Sequence, residues 1–304
     1  MGFLRQEGSK KNFVDSAYLL QPNAPWAVTV EPFAGSAAVG LAFAKLYPDR
    51  TTILADRDCL IVNAMQQVKS NLAEAQEWSW RYARCLETEE GAEWLWTRFT
   101  EARDNPQAFC PPQLAALRFH AGPIGALTAL NSHGRRSGFS PARAGYRNSR
   151  RWVGSHGFAI QELAQWSALL QCVEVNHADY RVTVDAVIEN GEKAFFFMDS
   201  PYRFGRQGKL SAGDAYYGAP FDVDELGRQC QRISDAGHFA MVTLDWCAEN
   251  QAMFKADWTV MRASWKSYDG VQSEHLIAIN YSPLIPADEV AAIKGWEITQ
   301  RQVR

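Results

Sequence analysis

The sequence predicts an α/β fold, a largely parallel sheet with helices on both faces, interrupted by an inserted and mainly helical domain. Three observations predict it. Two consecutive strand–turn–helix patterns fill the first quarter of the chain, the pattern breaks after residue 72, and it resumes near Val173. Alternating β and α units of this kind build layered sheets whose connections return each strand in the same direction. The expected division is a discontinuous main domain, 1–72 and 166–304, around an insertion, 73–165.

The first strand is read from Val28-Thr29-Val30-Glu31-Pro32-Phe33, a β-branched run that ends in Ala34-Gly35-Ser36 before the apolar Ala37 to Leu46. A second unit follows, with Thr51 to Ala55 as strand, Asp56 at its carboxyl end and Ile61 to Leu72 as helix. Between Glu74 and Gln161 the pattern is first helical and rich in tryptophan (Trp78, Trp80, Trp94, Trp96), then rich in Gly, Ser and Arg. The tryptophans read as packing residues of the insertion. Strands are expected again at Val173 to Asn176, at Ala194 to Met198 running into Asp199, and at Phe239–Leu244, Thr259–Trp265 and His275–Asn280.

A chain of 304 residues, 47% hydrophobic, buries a large core without covalent staples. The longest weakly polar run, Ala121 to Leu130, is about half a membrane span, and no signal-peptide pattern opens the chain. A cytoplasmic protein with no membrane partner is expected. Six cysteines lie scattered without metal-ligand spacing, so no metal site is expected and they read as reduced, mostly buried thiols. The net charge of −3 hides an asymmetry, because no acidic residue occurs between Asp104 and Glu162. That interval carries Arg118, Arg135, Arg136, Arg143, Arg147, Arg150 and Arg151, interleaved with Tyr146, Trp152, Gly and Ser. Such a loop suits phosphate contacts. If about four of its arginines meet phosphates, log K falls with log salt at a slope of about 3.6. His133 and His156 lie in the same segment without a clear task.

Two segments point to chemistry. In open α/β sheets ligands bind at the carboxyl ends of the strands, where Glu31, Gly35 and Asp56 fall. Gly35 lets backbone amides approach a ligand closely, although one glycine after a strand is by itself an ordinary turn. Asp56 would accept hydrogen bonds from ribose hydroxyls, or else Asp56 or Asp58 would cap the following helix. The sharper segment is Phe195-Phe196-Phe197-Met198-Asp199-Ser200-Pro201-Tyr202, a buried strand ending in a polar turn. A delocalised exocyclic amine is a poor nucleophile and needs acceptors to draw its nitrogen toward tetrahedral geometry. The Asp199 carboxylate and the Ser200 carbonyl, stiffened by Pro201, would each accept one amine hydrogen, and Tyr202 would stack on the base. Tyr216 and Tyr217, shortly after, would belong to a loop closing over it.

These residues resemble the Dam-like (D12 class) DNA adenine-N6 methyltransferases, and the likeness keeps the family's order over nearly the whole chain. Gly8-Ser9-Lys10 resembles the N-terminal cofactor-seating segment, which implies a cofactor role for Lys10. Glu31, Pro32, Phe33, Ala34, Gly35 and Ser36 are similar to the cofactor-binding turn, and Ala55-Asp56-Arg57-Asp58 to the segment whose Asp binds the cofactor ribose. Asn176-His177-Ala178-Asp179-Tyr180 resembles the segment in which Asp179 would contact the cofactor adenine, beside Tyr180. Asp199-Ser200-Pro201-Tyr202 stands where the family has Asp-Pro-Pro-Tyr, and Glu274 to Tyr281 is similar to a C-terminal strand motif.

The resemblance implies a Rossmann-like, seven-stranded methyltransferase sheet and S-adenosylmethionine as cofactor. It also implies double-stranded DNA as partner, and the composition of the basic segment assigns the DNA contacts to Arg135, Arg136, Arg143, Arg147, Arg150 and Arg151. Three departures stand out: Ser200 for a proline, Ala37 for a glycine, where its methyl would crowd the cofactor, and Asn131 to Phe139, which matches the family only loosely. The alternatives left open are a catalytically silent DNA-binding protein, or methylation of cytosine N4, RNA adenine or a glutamine side chain.

Overall fold

The computed structural model describes residues 13–85, 88–128, 160–200, 204–205, 209–210, 221–266 and 272–302. Its strands are β1 (Val28–Glu31), β2 (Thr51–Asp56), β3 (Val173–His177), β4 (Ala194–Asp199), β5 (Phe204–Gly205), β6 (Lys209–Leu210), β7 (Phe239–Asp245), β8 (Thr259–Lys266), β9 (Gln272–Ile279) and β10 (Glu297–Gln300). Among the described residues β5 and β6 pair with each other, and the remaining eight strands form one sheet in the order β10-β8-β9-β7-β4-β1-β2-β3. The pairings from β7 through to β3 are parallel, and those of β9 with β7, β8 with β9 and β10 with β8 are antiparallel.

The expected seven strands are therefore corrected to eight. The additional strand is β10, set in motion by Gly295, whose φ of 67° closes the helix Ala287–Lys294 and turns the chain back. Glu297 then pairs with Arg262 along the outer edge of β8, satisfying backbone groups that an open edge would leave unpaired.

β4 explains why its sequence is aromatic without alternation. Successive side chains of a strand point to opposite faces, and both faces of this strand are covered. Phe196 and Met198 pack with Val28, Val30, Tyr180, Val184, Leu226 and Ile233 on one side. Phe195 and Phe197 pack with Phe13, Ala17, Val39, Phe43 and Met241 on the other. The first side is roofed by helices Tyr180–Asn190 and Val223–Asp235, the second by α1 (Val14–Leu19) and α2 (Ala38–Leu46). Each such burial contributes about 1.5–3 kcal/mol, so the strand that ends in Asp199 is rigidly held.

After β2 the chain enters α3 (Cys59–Ser70), α4 (Leu72–Cys85), α5 (Glu89–Asp104) and α6 (Pro111–Thr128), and residues 160–170 are helical. Ala75, Ala83, Ala115, Ile160 and Leu163 from these later helices share a core with Leu54, Ile61 and Met65. A further cluster joins Leu60 to Tyr82, Leu95, Phe99, Phe109, Leu114 and Leu117. Trp78 packs against it, and Trp94 lies tilted against Tyr82 with ring centroids 6.0 Å apart while remaining 47% exposed; Trp80, 42% exposed, is a surface residue.

The cysteines also differ from expectation. Only Cys230 is buried, which pushes its thiol up to about 12. Cys59, Cys110 and Cys172 are exposed. Cys59 and Cys110 sit where helices begin, positions that packing leaves to solvent. Arg118, grouped by sequence with the basic loop, is instead 2% exposed within α6, and its charge acts on Asp56.

Candidate active site

The turn after β1 is built from two left-handed residues. Gly35 has φ 47° and Ala37 has φ 49°, while the Ala34 amide donates to the Ala55 carbonyl at 2.8 Å. Glycine takes this conformation without cost, whereas alanine pays about 1–2 kcal/mol. Burial offsets the second. Ala37 is fully buried and belongs to the apolar cluster that also holds Ala34, Leu41 and Leu54.

Behind the turn lie two carboxylates. Glu31, 3% exposed at the end of β1, accepts at Oε2 from the Gly40 amide at 2.7 Å, which ties the strand to the first turn of α2. Asp56, 8% exposed at the end of β2, accepts at Oδ2 from the Gly35 amide at 2.8 Å and at Oδ1 from the Asp58 amide at 2.9 Å. Burial raises the Asp56 carboxyl from the usual 3.8 to about 6, against the opposing pull of these amides and of Arg118. Asp58 is the helix cap, accepting from the Leu60 amide at 2.8 Å. The capping alternative thus falls to Asp58, and Asp56 braces the turn with oxygens that each keep a further lone pair.

The third segment joins them through the backbone. The Ala178 amide donates to the Asp56 carbonyl at 3.1 Å, and the His177 imidazole Nε2 lies 3.1 Å from the Arg57 carbonyl. Asp179 caps the next helix through the Arg181 amide at 3.0 Å and pairs with the Arg181 guanidinium at 2.7 Å. Burial pushes the Asp179 carboxyl up, but the Arg181 hydrogen bonds outweigh it and hold the group below its ordinary value. Tyr180, 8% exposed, stacks obliquely on Phe33 with ring centroids 4.8 Å apart, and Phe221 closes the trio at 5.7 and 6.0 Å. Burial raises the Tyr180 phenol well above its ordinary value, so it stays neutral.

Asp199 ends β4, the parallel neighbour of β1, so its carboxyl end opens on the same edge of the sheet as the Gly35 turn and Asp56. Its Oδ1 accepts from the Thr243 hydroxyl at 2.7 Å. Ser200 is 3% exposed, and its hydroxyl has no hydrogen-bond partner among the described residues. Pro201, Tyr202, Lys10, Tyr216, Tyr217 and the arginines 135, 136, 143, 147, 150 and 151 lie outside the described residues.

The convergence of these strand ends accords with the comparison of the sequence with family models. The model of the D12 class N6 adenine-specific DNA methyltransferases matches residues 7–250. The chain belongs to this family. Its activity is accordingly methylation of adenine N6 in DNA. No curated protein matches the chain.

The methyltransferase match ends before β8, so the C-terminal motif lies beyond it. There Asn280 accepts at Oδ1 from the Ala240 amide at 2.8 Å and donates from Nδ2 to the His238 carbonyl at 2.9 Å. The Tyr281 hydroxyl donates to the Leu20 carbonyl at 2.9 Å. Both residues brace the amino end of β7, away from the strand ends that gather Asp56 and Asp199. Thr243 and the Glu31–Gly40 bond were not singled out in the sequence, because a lone Thr within an apolar strand carries no local signal. Among the described residues no group of three or more His, Cys, Asp or Glu could hold a metal ion. None of the described helices is long and apolar enough to cross a membrane.

Proposed function

We propose that the enzyme transfers a methyl group from S-adenosylmethionine in line to an adenine flipped out of double-stranded DNA, with Asp199 as the principal acceptor. The observation that carries this reading is the shared edge of β1, β2 and β4. A left-handed turn, the Asp56 carboxylate and the Phe33–Tyr180 pair lie beside the strand that ends in Asp199. The residues present fit the cofactor. The Gly35 turn approaches without a side chain, Asp56 retains acceptor capacity for ribose hydroxyls, and the aromatic pair offers apolar surface to an adenine ring. Glu31, Pro32, Ala34 and Ser36 complete the turn, and Lys10 and Asp179 are assigned to the cofactor by the family resemblance.

When bound, S-adenosylmethionine supplies an electrophilic sulfonium methyl. The Asp199 carboxylate accepts one amine hydrogen, and the Ser200 carbonyl accepts the other. Together they pull the nitrogen lone pair out of the ring and aim it at the methyl. Hydrogen bonds to a charged acceptor contribute about 1.5–3 kcal/mol, most effectively in a dry, preorganised site. Pro201 stiffens the turn and Tyr202 stacks on the extruded base, which contributes about 1–3 kcal/mol. Residues 73–165 carry target recognition, with Arg135, Arg136, Arg143, Arg147, Arg150 and Arg151 on phosphates.

The test is Asp199→Ala with tritiated cofactor and DNA. The expected result is loss of label in DNA with cofactor affinity preserved by calorimetry. Retained turnover would show that another group grips the amine.

A further inference from the structure

We propose that Thr243 is a positioning residue for methyl transfer, holding the Asp199 carboxylate in the orientation that the adenine amine requires. The inference rests on the proposed role of Asp199 and deepens it. Asp199 and Thr243 are register partners across the parallel pairing of β4 and β7, so both side chains project to the same face of the sheet. The Thr243 hydroxyl donates to Asp199 Oδ1 at 2.7 Å, and Thr243 is fully buried. A hydroxyl has a single proton to donate, and here it goes to the carboxylate.

The strand ladder makes this anchor stiff. The pairing of β4 with β7 runs from Phe195 with Phe239 through to Asp199 with Thr243, and the strand beneath is buried on both faces. Thr is also restricted at χ1 by its branched β-carbon. The Thr243 hydroxyl restrains one oxygen of a carboxylate that ends a strand. Fixing one oxygen fixes the plane of the group, so the amine meets an acceptor already aimed. The contribution is to the transition state rather than to binding, since the amine needs directional acceptance most when its nitrogen becomes tetrahedral.

The effect on kcat separates this role from packing. Thr243→Val keeps the shape and loses the hydroxyl; Thr243→Ser keeps the hydroxyl and loses a methyl. A charge-assisted hydrogen bond corresponds to roughly 10- to 100-fold in rate. Thr243→Val is therefore expected to lose kcat by about that factor, with KM for S-adenosylmethionine within about twofold of wild type, and Thr243→Ser to stay near wild type. Should the valine variant fold poorly by its thermal midpoint, Thr243→Ala against Thr243→Ser repeats the contrast, because that pair differs only in the hydroxyl. Wild-type kcat in the valine or alanine variant, or an equal loss in the serine variant, would overturn the proposal. Asp199→Ala measured alongside keeps the two ideas apart. If it is active, the reading of Asp199 fails; if it is dead while Thr243→Val is fully active, only the role of Thr243 fails.

Discussion

The backbone amide of Gly35 donates to the Asp56 carboxylate at 2.8 Å, across 21 residues of sequence, so the turn leaving β1 is clasped to the end of β2. The same carboxylate holds the Asp58 amide at the start of α3. Glycine at the turn frees the amide to point inward, and the acid at the strand end receives it. The turn proposed to seat the cofactor is thereby braced from behind.

This clasp carries a pH signature. The Asp56 carboxyl stands at about 6 in the folded protein, above its usual 3.8. A raised acid pKa means that the folded state binds the proton more tightly than the unfolded chain. The associated stability is complete below the unfolded value and is lost as pH rises through about 6. Relative to Asp56→Asn, the wild type is expected to lose on the order of 3 kcal/mol of stability between about pH 4 and pH 7. Urea unfolding of both proteins at three pH values checks it. A flat or rising difference would refute the assignment.

Gly40 sits where α2 crosses the end of β1, and a Cβ there would lie 2.5 Å from Leu54 Cδ2 and 2.6 Å from Glu31 Oε2. Both neighbours are buried. Gly40→Ala is expected to cost about 1–3 kcal/mol through overpacking, partly offset by about 1 kcal/mol of helix propensity. It also displaces the Glu31 carboxylate, so cofactor affinity falls. Thermal unfolding with calorimetric titration of S-adenosylmethionine reads both effects, and unchanged affinity would remove Glu31 from the cofactor site.

Asn280 contributes stability rather than chemistry. Asn280→Ala leaves the Ala240 amide and the His238 carbonyl without their side-chain partner, which is expected to cost about 1–3 kcal/mol. Below the unfolding transition its kcat should match wild type. A loss of kcat with an unchanged midpoint would instead place this residue in the reaction.

Much of this protein was determined by the sequence alone, because local chemistry settles local structure. Val28 to Glu31 and Thr51 to Asp56 read as strands from their branched residues. Gly35 reads as a turn because only glycine is at ease with positive φ, and the unbroken Phe195 to Met198 run reads as a strand covered on both sides. Residue types in order also sufficed to identify the family, since six short segments keep their succession along the chain.

Tertiary structure decided what depends on partners distant in sequence. Thr243 meets Asp199 across 44 residues, and Glu31 secures Gly40 through a contact that no spacing rule announces. An eighth strand formed because an open edge of β8 lay within reach of the chain after Gly295. The tertiary structure also turned Arg118 inward, left Trp80 and most of the cysteines out of the core, and buried Ala37. The physical reason is common to all of these. Periodicity shows that a residue belongs to a strand or a helix, but whether its side chain is buried, and against what, follows only when separate elements pack together.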